Sequence, residues 1–318
     1  MAELSHGALR TLVSRFGGCD KYYSEMISAG SLVFKGPFEK YYLDPAPASQ
    51  KLVFQLCSGK TDLLCRAAEI LDDLECAGID INMGCSAPAI LRQGGGAAWL
   101  YDIDAARKMV SSVSCVVKNH SLSVKLRTGK EDNFAKLLAF CKMLEGEGVR
   151  HITLHPRTTK EKLRGGARWE YVKQLQDELQ IPVTGNGDIK SAAELVQRCA
   201  DAPHGGIMTG RLAVKCPWCF AQARGLLRED TIDLEETAFD FLDLLEKHQP
   251  KEFLYSRARR FFFYFCTNLQ WGEYLKNKIN REVEMRAMAK VLRDHFSEYP
   301  DEKKLQISSP AAREHSQN

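Results

Sequence analysis

The sequence predicts an α/β protein: a (β/α)8 (TIM) barrel that lacks its first strand, followed by a small all-helical domain. Seven short β-rich segments each give way to a helical pattern, and strands stop near residue 230. Polar residues that a strand interior would normally refuse gather at the C-terminal ends of those segments, where barrel sites are built. They are Glu25, Gln55, Asn82, Lys125, His155 and Asn186.

The chain opens on a helix, Ser5 to Phe16, stopped by Gly17-Gly18. The strands follow as YYSEMI (22–27), KLVFQL (51–56), IDINM (79–83), LSVKLR (122–127), HITLH (151–155), IPVTGN (181–186) and GGIMTG (205–210). Between the second and third, TDLLCRAAEILDDLECAG carries apolar residues at 63, 64, 67, 68, 70, 71 and 74, a helical stripe. Thr61 is placed to cap that helix and Gly78 to end it. Strands alternating with helices of this length make parallel βαβ units. A doubly wound sheet competes, but no G-x-G-x-x-G follows an early strand. Residues 1–230 therefore form the barrel. EETAFDFLDLLEKH, EFLYSRARRFFFYFCTNLQ and VEMRAMAKVLRDHF make a helical domain over 231–305, and 306–318 are expected to be a disordered tail.

At 44% hydrophobic and 27% charged residues the chain has the composition of a soluble globular protein. No apolar run approaches the roughly 18 to 20 residues that span a bilayer, and MAELSHGALR lacks the basic start and apolar run of a secretory signal. Eleven scattered cysteines suit a reducing cytosol better than a disulfide framework, so a cytoplasmic location is expected. Cys216-Pro-Trp-Cys219 has no second ligand pair and reads as a loop-to-helix turn, so no metal is expected. Neither a membrane nor an assembly beyond a monomer is called for, and the net charge of +3 only weakly favours a polyanionic partner.

The stretch IDINMGCSAPAILRQGGGAAWL (79–100) is the most pointed. Cys85 follows a strand end and precedes a glycine-rich loop, so it is either buried filler or a reagent held over a cleft. TGNGD (184–188) and MTGR (208–211), at the last two strand ends, suit a phosphate, with Arg211 adding a charged contact. Lys125 is either a surface lysine at a strand end or an ammonium inside the barrel mouth that needs an anion. His155 is either a satisfied polar residue or a site residue, and Gln55 stands at the same level. Together they suit a flat, polar-edged heterocycle with a phosphate tail, a flavin mononucleotide (FMN).

SEMISA (24–29), VFQLCSG (53–59), DINMGC (80–85), GGGAA, SVKLRTG, LHPRT, GNGD and GIMTGR occur in an order that resembles the tRNA-dihydrouridine synthase family. The likeness runs over about residues 1–230. It implies an FMN-holding barrel whose helical C-terminal domain helps dock tRNA, with NADPH or NADH as reductant. Gln55, Lys125 and His155 would contact the flavin; Asn186, Gly187, Asp188, Gly210 and Arg211 its ribityl phosphate side. Asn82 would face the target uridine and Cys85 would be the general acid, on a loop able to close over the base. Arg157, in the matching loop, would contact RNA or FMN, and the barrel rim around Arg92 and Arg157 is the other place for an RNA footprint. The chain departs from the family pattern at Ser86, where proline is usual, and at Pro156, where glycine is usual.

A stacked base must leave the RNA to reach a barrel mouth, which requires a surface for RNA backbone. Residues 251–281 carry seven Lys/Arg against Glu252 and Glu273, so Arg257, Arg259 and Arg260 are expected to face phosphates while the neighbouring phenylalanines pack. Two other readings share these features: a flavin enzyme acting on a free pyrimidine, like dihydroorotate dehydrogenase, and a tRNA-binding protein without catalysis. The family's first strand ends directly before the first helix, where Met1 stands here. The natural product is therefore expected to begin some ten to fifteen residues upstream, with Met1 an internal methionine against the flavin.

Overall fold

The computed structural model describes residues 1–307 except 163 and 203. The disorder expected at 308–318 therefore lies outside the described residues. Seven parallel strands run in sequence order through one curled sheet. They are β1 (Tyr22–Ser28), β2 (Leu52–Cys57), β3 (Gly78–Met83), β4 (Leu122–Arg127), β5 (His151–His155), β6 (Val183–Asn186) and β7 (Ile207–Met208). Helices Thr61–Asp72, Ile103–Val116, Phe134–Gly146, Trp169–Glu178 and Ala192–Asp201 cover the outside, and β2 is buried along its whole length. Near-continuous apolar strands are what a parallel sheet covered on both faces demands. Among the described residues no eighth strand pairs with β1 or β7, so the architecture is TIM-like with seven strands, as predicted.

The N-terminal segment sits between those two edges. Glu3 N–H donates to Glu25 Oε1 (2.5 Å) and Ser5 Oγ to the Ser24 carbonyl (3.2 Å), both on β1. Met1 sulfur lies against Gly210, just beyond β7, where a Cβ would come within 2.8 Å of it. The first helix spans Gly7–Arg15, with His6 as its N-cap accepting from Leu9 N–H.

The helix after β2 ends at Asp72 rather than at Gly78, and Thr61 is its first residue rather than a capping side chain. The reason for the early end is Asp72 itself. Its carboxylate accepts the backbone N–H groups of Lys118, Asn119 and His120 at 2.8–3.1 Å, which ties the helix end to that turn.

Beyond residue 230 the described residues form four α-helices: Leu234–His248, Lys251–Phe265, Gly272–Ile279 and Met285–Glu298. The region is not purely helical. An antiparallel ribbon pairs β8 (Thr231–Asp233) with β9 (Lys304–Gln306), so Gln306, expected in the tail, is paired to Thr231. Phe261, Phe262 and Phe265 are buried around Phe241, which stacks on Phe261 at 3.6 Å between ring centroids. Phe263, on the other side of the same helix, is exposed.

Candidate active site

Residues 80 and 82 of β3 share one face of the strand. Asp80 is fully buried and accepts from Ser123 Oγ (2.7 Å) and Gln55 Nε2 (2.7 Å). Because an ionised carboxylate only accepts, it fixes the Gln55 amide with its oxygen outward. Gln55 Oε1 then accepts from Asn82 Nδ2 (2.8 Å), which turns Asn82 Oδ1 toward the strand end. There it accepts the N–H groups of Gly84 (3.1 Å) and Cys85 (2.9 Å). One buried acid thus sets two amides and, through them, the backbone that carries Cys85.

The far side of that loop is fastened as well. Ala97 N–H donates to the Cys85 carbonyl (2.9 Å) and Arg127 Nε to the Gly84 carbonyl (3.1 Å). Gly96, at φ +59°, leaves no room for a side chain: a Cβ would stand 2.5 Å from the Cys85 oxygen. The glycines serve close approach, and the Cys85 backbone is pinned on both sides. Cys85 itself is half-buried, whereas burial pushes the neighbouring Cys57 thiol up to about 11.

Burial pushes the Asp80 carboxyl up to about 6, against the opposing bonds from Gln55 and Ser123. A carboxyl raised on folding adds stability below its unfolded value of 3.8, and that stability is lost as pH rises through about 6. Asp80→Asn keeps an acceptor for Gln55 and removes the titration. Urea midpoints of the parent are therefore expected to fall between pH 4 and pH 6 by more than those of the variant. Parallel curves would show that Asp80 is not the group responsible.

Lys125, paired in register with Asn82 on β3, donates to Asn186 Oδ1 (3.1 Å); Asn186 Nδ2 in turn donates to the Met208 carbonyl (2.8 Å). Burial lowers the Lys125 ammonium to about 8, although Asp80 opposes the shift. His155 is lowered to about 3 by burial and then by the charges of Lys125, Arg127 and Arg157. Arg157 Nη1 stands 3.2 Å from its Nε2. Since a guanidinium only donates, Nε2 accepts and the ring proton sits on Nδ1. The imidazole is neutral.

Gly187 has φ +118° and a Cβ there would meet His155 Cδ2 at 2.8 Å, so the turn after β6 packs directly on the ring. Asp188 also has positive φ, +53°. Burial alone would raise its carboxyl, but bonds from Arg157 and Ala167 N–H and the Arg211 charge hold it below the ordinary value. Arg211 stands 3.7 Å from Asp188 and is half-exposed just after Gly210. The residues expected around a cofactor thus converge on the C-terminal mouth of the sheet.

The arginines expected to meet RNA divide. Arg92 is exposed on the short helix Pro88–Arg92 beside the Cys85 loop. Arg260 is exposed and paired with Glu3 (2.8 Å), and Arg259 is half-buried, donating to the Glu282 carbonyl (2.8 Å). Arg157 and Arg257 require correction. Arg157 is 2% exposed and spends its guanidinium on Asp188, His155 and the carbonyls of Arg164 and Gly165. Arg257 falls on the inner stripe of its helix with Ala258, Phe261 and Phe265, and is buried in an ion pair with Glu25 of β1. Neither faces outward. The sequence reading also passed over Asp80 and Arg127, although each stands two residues from a recognised site residue on the same strand face. No group of three metal-ligating side chains occurs among the described residues, and no described helix is long and apolar enough to cross a membrane.

Residues 1–313 match the family described as Dihydrouridine synthase (Dus). A probable tRNA-dihydrouridine synthase of Rickettsia prowazekii is 28% identical over 253 residues, covering 78% of this chain and 76% of that protein. One of Helicobacter pylori is 27% identical over 297 residues, covering 91% and 88%. The tRNA-dihydrouridine synthase B of Pasteurella multocida is 28% identical over 250 residues, covering 78% and 74%. The crystal structure of TcOYE with pHBA shares the fold at TM-score 0.50 and 10% identity, covering 69% of this chain and 83% of that one. With the family match running through the sheet and the helical region alike, this chain belongs to the dihydrouridine synthase family.

Proposed function

We propose that this chain reduces specific uridines of tRNA to 5,6-dihydrouridine, with FMN bound at the sheet mouth and NADPH or NADH as reductant. The observation that carries the reading is the Cys85 backbone, held by a chain of bonds from Asp80 through Gln55 and Asn82. The cofactor assignment rests on the donor set. Lys125, Gln55 and the neutral His155 offer an ammonium, an amide and an imidazole to the edge of a heterocycle. The Asn186-Gly187-Asp188 turn and the Gly210-Arg211 helix start offer backbone N–H groups and a cation to a phosphate. The Asp188 carboxylate does not oppose an anion there, because Arg157 and Arg211 offset its charge.

When bound, the flavin supplies hydride to C6 of the uracil. C5 then needs a proton from the other side, and Cys85 is the residue held to deliver it. A thiol is a proton donor in its own right. Asn82 fixes the Cys85 backbone through Oδ1 and leaves the second N–H of Nδ2 for the target base, while Lys125 places positive charge beside the cofactor edge.

Purified chain, FMN and NADPH incubated with unmodified tRNA transcripts should yield dihydrouridine, read by mass spectrometry as the gain of two hydrogens. Flavin-loaded, reducible protein that leaves every transcript unchanged would refute the function. Replacing Arg259 and Arg260 by alanine should weaken tRNA binding and lower its salt slope by about 1 to 2, since each lost phosphate contact releases fewer counterions. An unaltered slope would put the RNA footprint on the sheet rim around Arg92 instead.

A further inference from the structure

A cleft of about 220 Å³ opens at the end of β4, lined by Tyr101, Arg127, Thr128, Lys130 and Lys136, with Glu131 at its side. It adjoins the Cys85 loop, because Arg127 Nε holds the Gly84 carbonyl from within its wall. The cleft lies outside the groups already assigned to cofactor or proton transfer, and its chemistry is that of an anion site. Arg127 gives its bonds to the carbonyls of Gly84, Thr158 and Lys162 and forms no ion pair among the described residues. Lys130 sits 4.1 Å over the Tyr101 ring and Lys136 stands 3.2 Å from Glu131, so three cations face one carboxylate. Thr128 is 6% exposed and its hydroxyl is buried without a hydrogen-bond partner among the described residues. A buried hydroxyl left unpaired is costly unless something completes it.

We propose that this cleft is a subsite for one nucleotide flanking the reacting uridine, its phosphate held by Lys130, Lys136 and the Thr128 hydroxyl, with Tyr101 as the flat wall. The inference rests on the tRNA reading above and goes beyond it by naming where the neighbouring nucleotide goes. Size argues for RNA over a second source of phosphate, the nicotinamide dinucleotide. Sites for larger ligands run to roughly 300–1,000 Å³, whereas this cleft matches a single phosphate and ribose. Cations beside an aromatic ring are the usual means of holding single-stranded nucleic acid irrespective of sequence.

Two variants of the full-length protein test it, Thr128→Val and the double Lys130→Ala/Lys136→Ala, with unmodified tRNA transcript as the probe. Thr128→Val keeps shape and should raise the tRNA Kd about threefold. The double variant should raise it about tenfold and lower the salt slope by about 1. Both should keep kcat within about twofold, and both should keep the parental rate of flavin reduction by NADPH. Parental tRNA affinity and slope in both variants would overturn the subsite. So would a raised KM for NADPH with tRNA binding unchanged, which would assign the cleft to the dinucleotide phosphates. The parent serves as the separate control: if it forms no dihydrouridine and binds no tRNA, the function falls and the subsite with it, whereas a working parent with indifferent variants removes the subsite alone.

Discussion

Cys85→Ala is expected to lower dihydrouridine formation by about 10²- to 10⁴-fold, the usual range for removing a positioned acid, with fold and tRNA affinity kept. The separation is expected because everything that positions this residue is backbone. The Cys85 N–H bonds Asn82 Oδ1 and its carbonyl bonds Ala97 N–H, so both survive the substitution. Only the thiol is lost, from a half-buried site where alanine leaves no large cavity. Cys85→Ser should recover little, since a hydroxyl is a far weaker acid than a thiol. The neighbouring Cys57 is the control. It is buried, and burial pushes its thiol up to about 11, so Cys57→Ala should cost at most a few kcal/mol of stability and leave chemistry intact. Dihydrouridine measured by mass spectrometry, with urea midpoints in parallel, checks both. A Cys85→Ala protein as fast as its parent would show that the proton comes from elsewhere.

The strands were legible because a parallel sheet covered on both faces writes itself as apolar runs, and the polar exceptions at their ends marked the site. Lys125, His155 and Asn186 stood out for that reason, and the structure brings them together at one mouth. Partner choice was not legible. Asp80 reads as one more polar residue in IDIN until the fold sets Gln55 and Ser123 against it, since those bonds cross 25 and 43 residues of sequence. The glycines at 94–96 suggested motion, yet Gly96 is small because the Cys85 carbonyl lies against it. Arg127 likewise looked like part of a strand end, and only the fold shows its guanidinium reaching back to the Gly84 carbonyl.

Arg257 is where the sequence misled most, and it carries the largest expected effect on stability. In RARRFFFYF three arginines look equally solvated, but helical spacing puts 257 on the stripe of 258, 261 and 265. An arginine on a buried stripe must find an anion, and Glu25 of β1 supplies it from 232 residues away. Glu25 also takes the Glu3 N–H, and the guanidinium lies 4.9 Å from the Phe253 ring. The pair therefore ties the N-terminal segment, the first strand and the helical region to one another. Arg257→Ala should cost about 3–5 kcal/mol, because it strands a carboxylate in a buried site. Glu25→Leu should cost about as much by stranding the guanidinium. The double variant Glu25→Leu/Arg257→Met removes both charges with little loss of volume and is expected within about 2 kcal/mol of the parent. Urea unfolding of the four proteins measures the coupling. If the arginine served RNA instead, the double variant would be stable yet bind tRNA with a reduced salt slope. Parental slope with recovered stability is the outcome that the buried pair requires, because a charge already offset by Glu25 releases no counterion when tRNA arrives.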